Sequence, residues 1–201
     1  MKDKLLVIAP HSDDETLGCG GLIARTIEEG GEVTVLVFSH NYGMASYEEF
    51  YKTMALLNVS YKTVGSFDAL KFDQIEILSI VSKIEEVCKD IKPTTVAIPF
   101  AGFHQDHEAV NKAALIALRP HGYMPQRVLV YEQPYYGTWG NVFKPNYYVD
   151  ITNQLDKKIE ALECYKSQKI PFDMVKAMAL LRGGESGVKY AESYMLMREI
   201  V

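Results

Sequence analysis

Two short apolar runs most constrain what this chain can fold into, residues 5–9, unbroken, and 33–38, interrupted only by Thr34; a third strand is expected over 94–98, after Pro93. A strand with one wetted face alternates apolar and polar residues, so runs without alternation read as strands buried on both faces. The segments between them have helical character. Ile77, Leu78, Ile80, Val81, Ile84, Val87 and Cys88 fall at the spacing of an amphipathic helix, and residues 16–29 read as a helix ended by Gly30 and Gly31. Further helices are expected over 47–57, 107–118 and from Leu155 through Leu162, and further strands over 61–66, 127–131 and 147–151, the last strands, before a helical tail. Alternating strands and helices with short connections imply an α/β fold: a mainly parallel sheet covered by helices on both faces, three layers in all.

With 201 residues and no linker, repeat or biased tract, residues 1–201 read as one domain. Lys plus Arg number 21 against 26 Asp plus Glu, a net charge of -5, which gives no electrostatic basis for a nucleic-acid partner. Cys19, Cys88 and Cys164 lie far apart and outside any C-x-x-C pattern, as expected of reduced thiols in a cytoplasmic protein. No apolar stretch approaches the ~18 residues of a membrane span, and the N-terminal apolar run is too short for a signal peptide.

In open parallel sheets, ligands bind beyond the carboxyl ends of the strands. Polar clusters occupy those ends here: HSDDE at 11–15 after the first strand, HNYG at 40–43 after the second, and HQDH at 104–107 after the strand ending at Ile98. Parallel strands would bring all three to one rim. The first cluster offers one His and three carboxylates, the third two His and an Asp. That suits a catalytic zinc site of three His and carboxylate ligands with an open position, and equally the ligand set favoured by ferrous iron. Hydrolysis also needs a base for water and a donor for the developing oxyanion, and the two clusters hold groups enough for both. The bland reading, Asp13 and Asp14 as a helix cap and 104–107 as a polar turn, has to explain two such clusters at strand ends together.

The run PHSDDETLGCGG at 10–21 resembles the signature of the PIG-L/LmbE-like deacetylases, and HQDHEAVN at 104–111 is similar to that family's second motif. Residues 143–152, the YKSQ of 165–168 and the segment from Gly187 to Glu192 resemble its C-terminal pattern. The resemblance implies a Rossmann-like, divalent-metal enzyme, with zinc expected and Fe2+ or another divalent ion compatible. Such an enzyme removes N-acetyl groups from N-acetylglucosamine-type sugars or glycoconjugates. It implies that His11, Asp14 and His107 hold the metal, that Asp13 is the base that activates water, and that His104 stabilises the tetrahedral intermediate or protonates the leaving amine. Asp106 would orient a histidine from outside the ligand set, and Glu15 would be structural, bonding the backbone of the rim. Two departures stand out. Ser12 occupies the place of a usual proline, which is expected to loosen the turn. A substrate-contacting arginine expected near Ser46 is missing, since no Arg lies between Arg25 and Arg119.

Of the remaining residues, His40 reads as a pocket residue or a rim histidine with a structural hydrogen bond, and His121 as part of a surface turn. The aromatic stretch 135–139, with Trp139, reads as a wall for a sugar ring or as a homo-oligomer contact. Gly18, Gly20 and Gly21 do not follow the dinucleotide spacing. Rival readings are hydrolysis of another amide or ester at the same site, and a non-catalytic metal- or glycan-binding module.

Overall fold

A computed structural model describes residues 2–40, 44–63, 67–134 and 142–201. In chain order the elements are β1 (Lys4–His11), α1 (Asp14–Glu28), β2 (Glu32–Ser39), α2 (Met44–Leu57), β3 (Ser60–Thr63), a 3-10 turn (Phe72–Gln74), α3 (Ile77–Ile91), β4 (Thr95–Pro99), α4 (Gln105–Ala117), β5 (Arg127–Tyr131), β6 (Tyr147–Asp150), α5 (Leu155–Leu162), α6 (Phe172–Ser186) and β7 (Ala191–Glu199). Among the described residues they build one seven-stranded sheet in the order β3-β2-β1-β4-β5-β7-β6. The pairs from β3 to β5 are parallel, and β7 runs antiparallel to both β5 and β6.

The apolar runs have the expected cause. Successive strand residues point to opposite faces. In β1, Leu5 and Val7 join the core under α1, α2, α5 and α6, while Leu6 and Ile8 join the core under α3 and α4. In α3 the buried stripe is Ile80, Val81, Ile84 and Cys88, whereas Leu78 is 58% exposed. The helix ends at Lys92 in a left-handed conformation. No helix among the described residues is long and apolar enough to cross a membrane.

The tail departs from expectation. Residues 172–186 are helical, but 191–199 form a nine-residue strand. That segment, AESYMLMRE, is rich in helix formers and lacks clean alternation. It becomes a strand because it is captured between β5 and β6, a non-local pairing that overrides local preference. The capture also delivers Glu192 to the underside of α1. Its carboxylate accepts the amides of Gly21 and Leu22 at 2.8 Å each and the Tyr194 hydroxyl, and pairs with Lys158 Nζ at 2.7 Å. Lys158 also donates to the Leu17 carbonyl, so this buried pair ties α1, α5 and β7 together.

Strand order reverses between β1 and β4, so the crevice of such a fold opens there. The first and third polar clusters flank that point.

Candidate metal centre and catalytic cleft

Strand β1 carries the chain to His11, still in register with Ser39. Two residues then turn it into α1. Ser12 donates its amide to the Ser39 carbonyl at 3.0 Å, and its hydroxyl meets His40 Nδ1 at 2.7 Å. The expectation that serine loosens this turn is therefore overturned: proline has no N–H to make the first bond and no hydroxyl to make the second. Asp13 takes φ 105°, ψ -33°, a conformation that residues with a Cβ rarely adopt. It is held there by its own amide donating to Glu15 Oε2 and by its carbonyl accepting from Thr16 and Leu17. Glu15 is fully buried and also accepts the Tyr165 hydroxyl at 2.6 Å, the rim-bonding arrangement expected of it.

The third cluster is built by the start of α4. His104 caps that helix, its Nδ1 accepting the Asp106 amide at 3.1 Å, so the proton of its neutral ring sits on Nε2. Asp106 turns back toward β1. Its Oδ2 accepts from His11 Nε2 at 2.7 Å and the Leu70 amide at 2.6 Å, and its Oδ1 accepts the Phe72 amide at 3.0 Å. His11 is thereby fixed with Nδ1 facing Asp14.

His11 Nδ1 and His107 Nε2 each lie 3.2 Å from the same oxygen, Asp14 Oδ2. Two donors at zinc-ligand distance and tetrahedral angle stand roughly 3.3 Å apart, so the donor set fits a small divalent ion. One donor atom from each of the three residues lies within 4.8 Å of the others, and all three residues are buried. A second trio, His11, His104 and Asp106, meets the same distance limit. It fits an ion less well, because both Asp106 oxygens are already committed to hydrogen bonds.

The electrostatics of the metal-free form reflect this crowding. Burial disfavours a charged His11, yet hydrogen bonds and charge from Asp106 and Asp14 raise its pKa to about 10. Asp14 is held well below the carboxylate range: burial opposes this, but His107 and His11 outweigh it. Asp13 is pushed well above that range by burial and by the charges of Asp14 and Glu15. Burial, then His107 and His11, lower His104. For Asp106, the bonds from His11, Phe72 and Leu70 overcome burial and lower its pKa.

A cleft of about 230 Å³ opens over these groups, lined by His11, Asp13, Asp14, His104 and His107 on the floor and by Ala69, Leu70, Gln133, Pro134 and residues 168–171 around it. Every sequence-predicted ligand and catalytic residue reaches this cleft except Asp106, which lies behind His11. His40 does not line it; its ring packs against Tyr47 and Phe50 and bonds Ser12, the structural option of the two. Burial lowers its pKa. His121 lies exposed in a turn. The aromatic stretch 135–139 lies outside the described residues, as do 41–43 of the second cluster and 64–66 of the expected third strand. Sequence reasoning missed Gln133, whose Nε2 donates to Asp14 Oδ1 at 2.6 Å and steadies that carboxylate. It follows the end of β5, so the strand-end rule that found the other clusters could have found it. It also missed the wall formed by 168–171.

A mainly parallel α/β sheet thus gathers, at its switch point, a His–Asp–His group that could hold a metal ion. The chain belongs to the PIG-L family of GlcNAc-PI de-N-acetylases, whose model matches residues 6–118. It is 28% identical to diacetylchitobiose deacetylase of Thermococcus kodakarensis, across 94% of this chain and 81% of that protein. Among solved structures it is similar to the conserved protein TT1542 of Thermus thermophilus, with TM-score 0.83 and 26% identity over 100% of this chain and 97% of that one. It also shares its fold with GalB, a 4-carboxy-2-hydroxymuconate hydratase, with TM-score 0.82 and 22% identity over 99% and 98% of the two chains.

Proposed function

We propose that this member of the family is a metal-dependent N-deacetylase acting on N-acetylglucosamine-type sugars or glycoconjugates, releasing acetate and a free amine. The observation that carries the reading is the convergence of His11 Nδ1 and His107 Nε2 on Asp14 Oδ2, with Asp13 and His104 on the floor of the same cleft. A fold shared with a hydratase does not decide the reaction. The family match and the site support the deacetylase reading.

His11, Asp14 and His107 would hold the ion, zinc being the natural fit and ferrous iron an acceptable one. Bound there, the ion supplies Lewis acidity toward an amide carbonyl and makes water more acidic. Asp13, on the floor of the cleft beside the donor set, takes the proton of the attacking water. Oxygen adds to the acetyl carbon, and the neutral His104, with its proton on Nε2, donates to the developing oxyanion. The C–N bond breaks, and the proton collected by Asp13 passes to the nitrogen with His104 as partner in the transfer. Asp106 keeps His11 in one tautomer, and Gln133 keeps Asp14 in one rotamer.

We also read residues 1–201 as one domain, supported by the continuous sheet, and place it in the cytoplasm, supported by three unpaired cysteines. The test is acetate release from N-acetylglucosamine and diacetylchitobiose by stripped and metal-reloaded protein, with metal content measured alongside. His107→Ala should lose metal and activity together; Asp13→Asn should keep its metal and lose turnover. Undiminished metal in His107→Ala sinks the ligand set. Acetate release that ignores the metal sinks the mechanism. No release at all favours a binding module or a different substrate bond.

A further inference from the structure

Asp14 divides its two oxygens between two tasks. Oδ2 is the atom on which His11 Nδ1 and His107 Nε2 converge, each at 3.2 Å, and it also accepts the His11 amide at 3.0 Å. Oδ1 accepts Gln133 Nε2 at 2.6 Å, a short, charge-assisted bond. The same nitrogen lies 3.5 Å from the Asp14 carbonyl, so the donor end of this amide is committed to one residue. Gln133 is 2% exposed, and its Oε1 has no hydrogen-bond partner among the described residues. A flipped amide would set that oxygen against the Asp14 carboxylate, so the donor end has to face Asp14. Leaving a buried acceptor unmade is a cost, and what offsets it is the bond made by the donor.

The backbone that delivers Gln133 is fixed on both sides. Glu132 accepts two bonds from Arg182, at 2.6 and 2.8 Å, and one from the Ser193 hydroxyl at 2.6 Å. Pro134 follows, which restricts the backbone of the residue before it. Tyr131, two residues earlier, donates its hydroxyl to the Ile8 carbonyl of β1 at 2.9 Å. Gln133 thus meets Asp14 from an anchored strand end, with little freedom to release Oδ1. A carboxylate free on both sides can give a metal ion one oxygen or two. With Oδ1 held by Gln133, Asp14 has one to give. That keeps the protein's share at three donors and suits an ion that takes four ligands. An ion that gathers six oxygen-rich ligands, such as Mn2+, draws nothing from the held oxygen.

We propose that Gln133 is a positioning residue that restricts Asp14 to one metal-facing oxygen, and thereby selects a zinc-like ion of low coordination number over one that prefers six ligands. The proposal rests on the ligand set given above, though not on the reaction, and its test reads metal binding rather than turnover. Stripped wild type and Gln133→Met, which keeps the chain length and loses the donor, are titrated with Zn2+ and with Mn2+ against competing chelators. In Gln133→Met zinc affinity should fall about 10–100-fold, the usual effect of losing a group that holds a metal ligand. Manganese affinity should hold or rise, so the preference for zinc narrows by about the same factor. Protein loaded with Co2+ gives a second reading, because visible d–d absorption is strong at four ligands and weak at six. It should be strong in wild type and weaken in Gln133→Met as Oδ1 joins the ion. Gln133→Leu, of different shape, should repeat both shifts. The wild-type cobalt spectrum is decisive even where neither variant folds: a weak, six-ligand spectrum overturns the proposal. Equal losses for zinc and manganese, or a cobalt spectrum unchanged in the variants, also overturn it while the ligand set stands. Zinc bound as tightly by His107→Ala as by wild type removes the ligand set, and the role of Gln133 with it.

Discussion

Replacing Asp13 by Gly should make the metal-free protein more stable while nearly abolishing its activity. Asp13 sits at φ 105°, where a Cβ is strained and glycine is not. Such a residue costs about 1–3 kcal/mol, from which the extra chain entropy of an unfolded glycine removes about 0.4–1 kcal/mol. Asp13 also carries an electrostatic cost. Its carboxyl is raised by burial and by Asp14 and Glu15, so the folded state prefers it protonated and loses stability as pH rises past the ordinary carboxylate value. Asn and Gly both remove that charge, and only Gly removes the Cβ. The difference between Asp13→Gly and Asp13→Asn therefore isolates the backbone contribution, about 1 kcal/mol, or roughly 2–4 °C in a chain of this size. Thermal unfolding in chelator keeps metal binding out of the comparison. Turnover of both reloaded variants should fall about 10²–10⁴-fold, as for loss of a positioned base. A glycine variant that melts at or below the asparagine variant would refute the claim of strain. A glycine variant with near-normal turnover would refute the assignment of the base.

Three other perturbations have definite signs. Lys158→Met leaves the buried Glu192 carboxylate without its cation, so urea unfolding should show a loss of about 3–5 kcal/mol, and a loss below about 1 would mean water reaches the pair. Metal must displace the proton that His11 holds up to about 10, so between pH 7 and 8.5 apparent affinity should rise about tenfold per pH unit, with about one proton released in calorimetry across buffers of different ionisation heat; pH-independent affinity would contradict the His11 pairing. Gly21→Ala drives a Cβ into Ile151 Cγ2 and should cost about 1–3 kcal/mol through overpacking, read as a lowered urea midpoint; an unchanged midpoint would show that α1 shifts freely over the sheet.

By itself the sequence determined the elements whose signals are local and the clusters that could supply metal ligands; the particular set of His11, Asp14 and His107 came from the family resemblance. Runs such as 5–9 are apolar at every position because both faces of β1 are covered, and that pattern survives without knowledge of the partners. His11, Asp14, His104 and His107 were legible because their clusters lie at or just beyond the carboxyl end of a strand, where a parallel sheet gathers polar residues. Only the tertiary structure decided the rest. Segment 191–199 has no local reason to be extended; the gap between β5 and β6 makes it a strand and carries Glu192 beneath α1. The strained turn at Asp13 is held by Glu15 and Tyr165, partners 150 residues apart. Gln133 steadies Asp14 across 119 residues, and the Ser167–Glu49 bonds hold the chain that leads into the wall at 168–171. Sequence spacing records periodicity along one element; which side chains meet across elements depends on strand order and register, and those exist only once the sheet has closed.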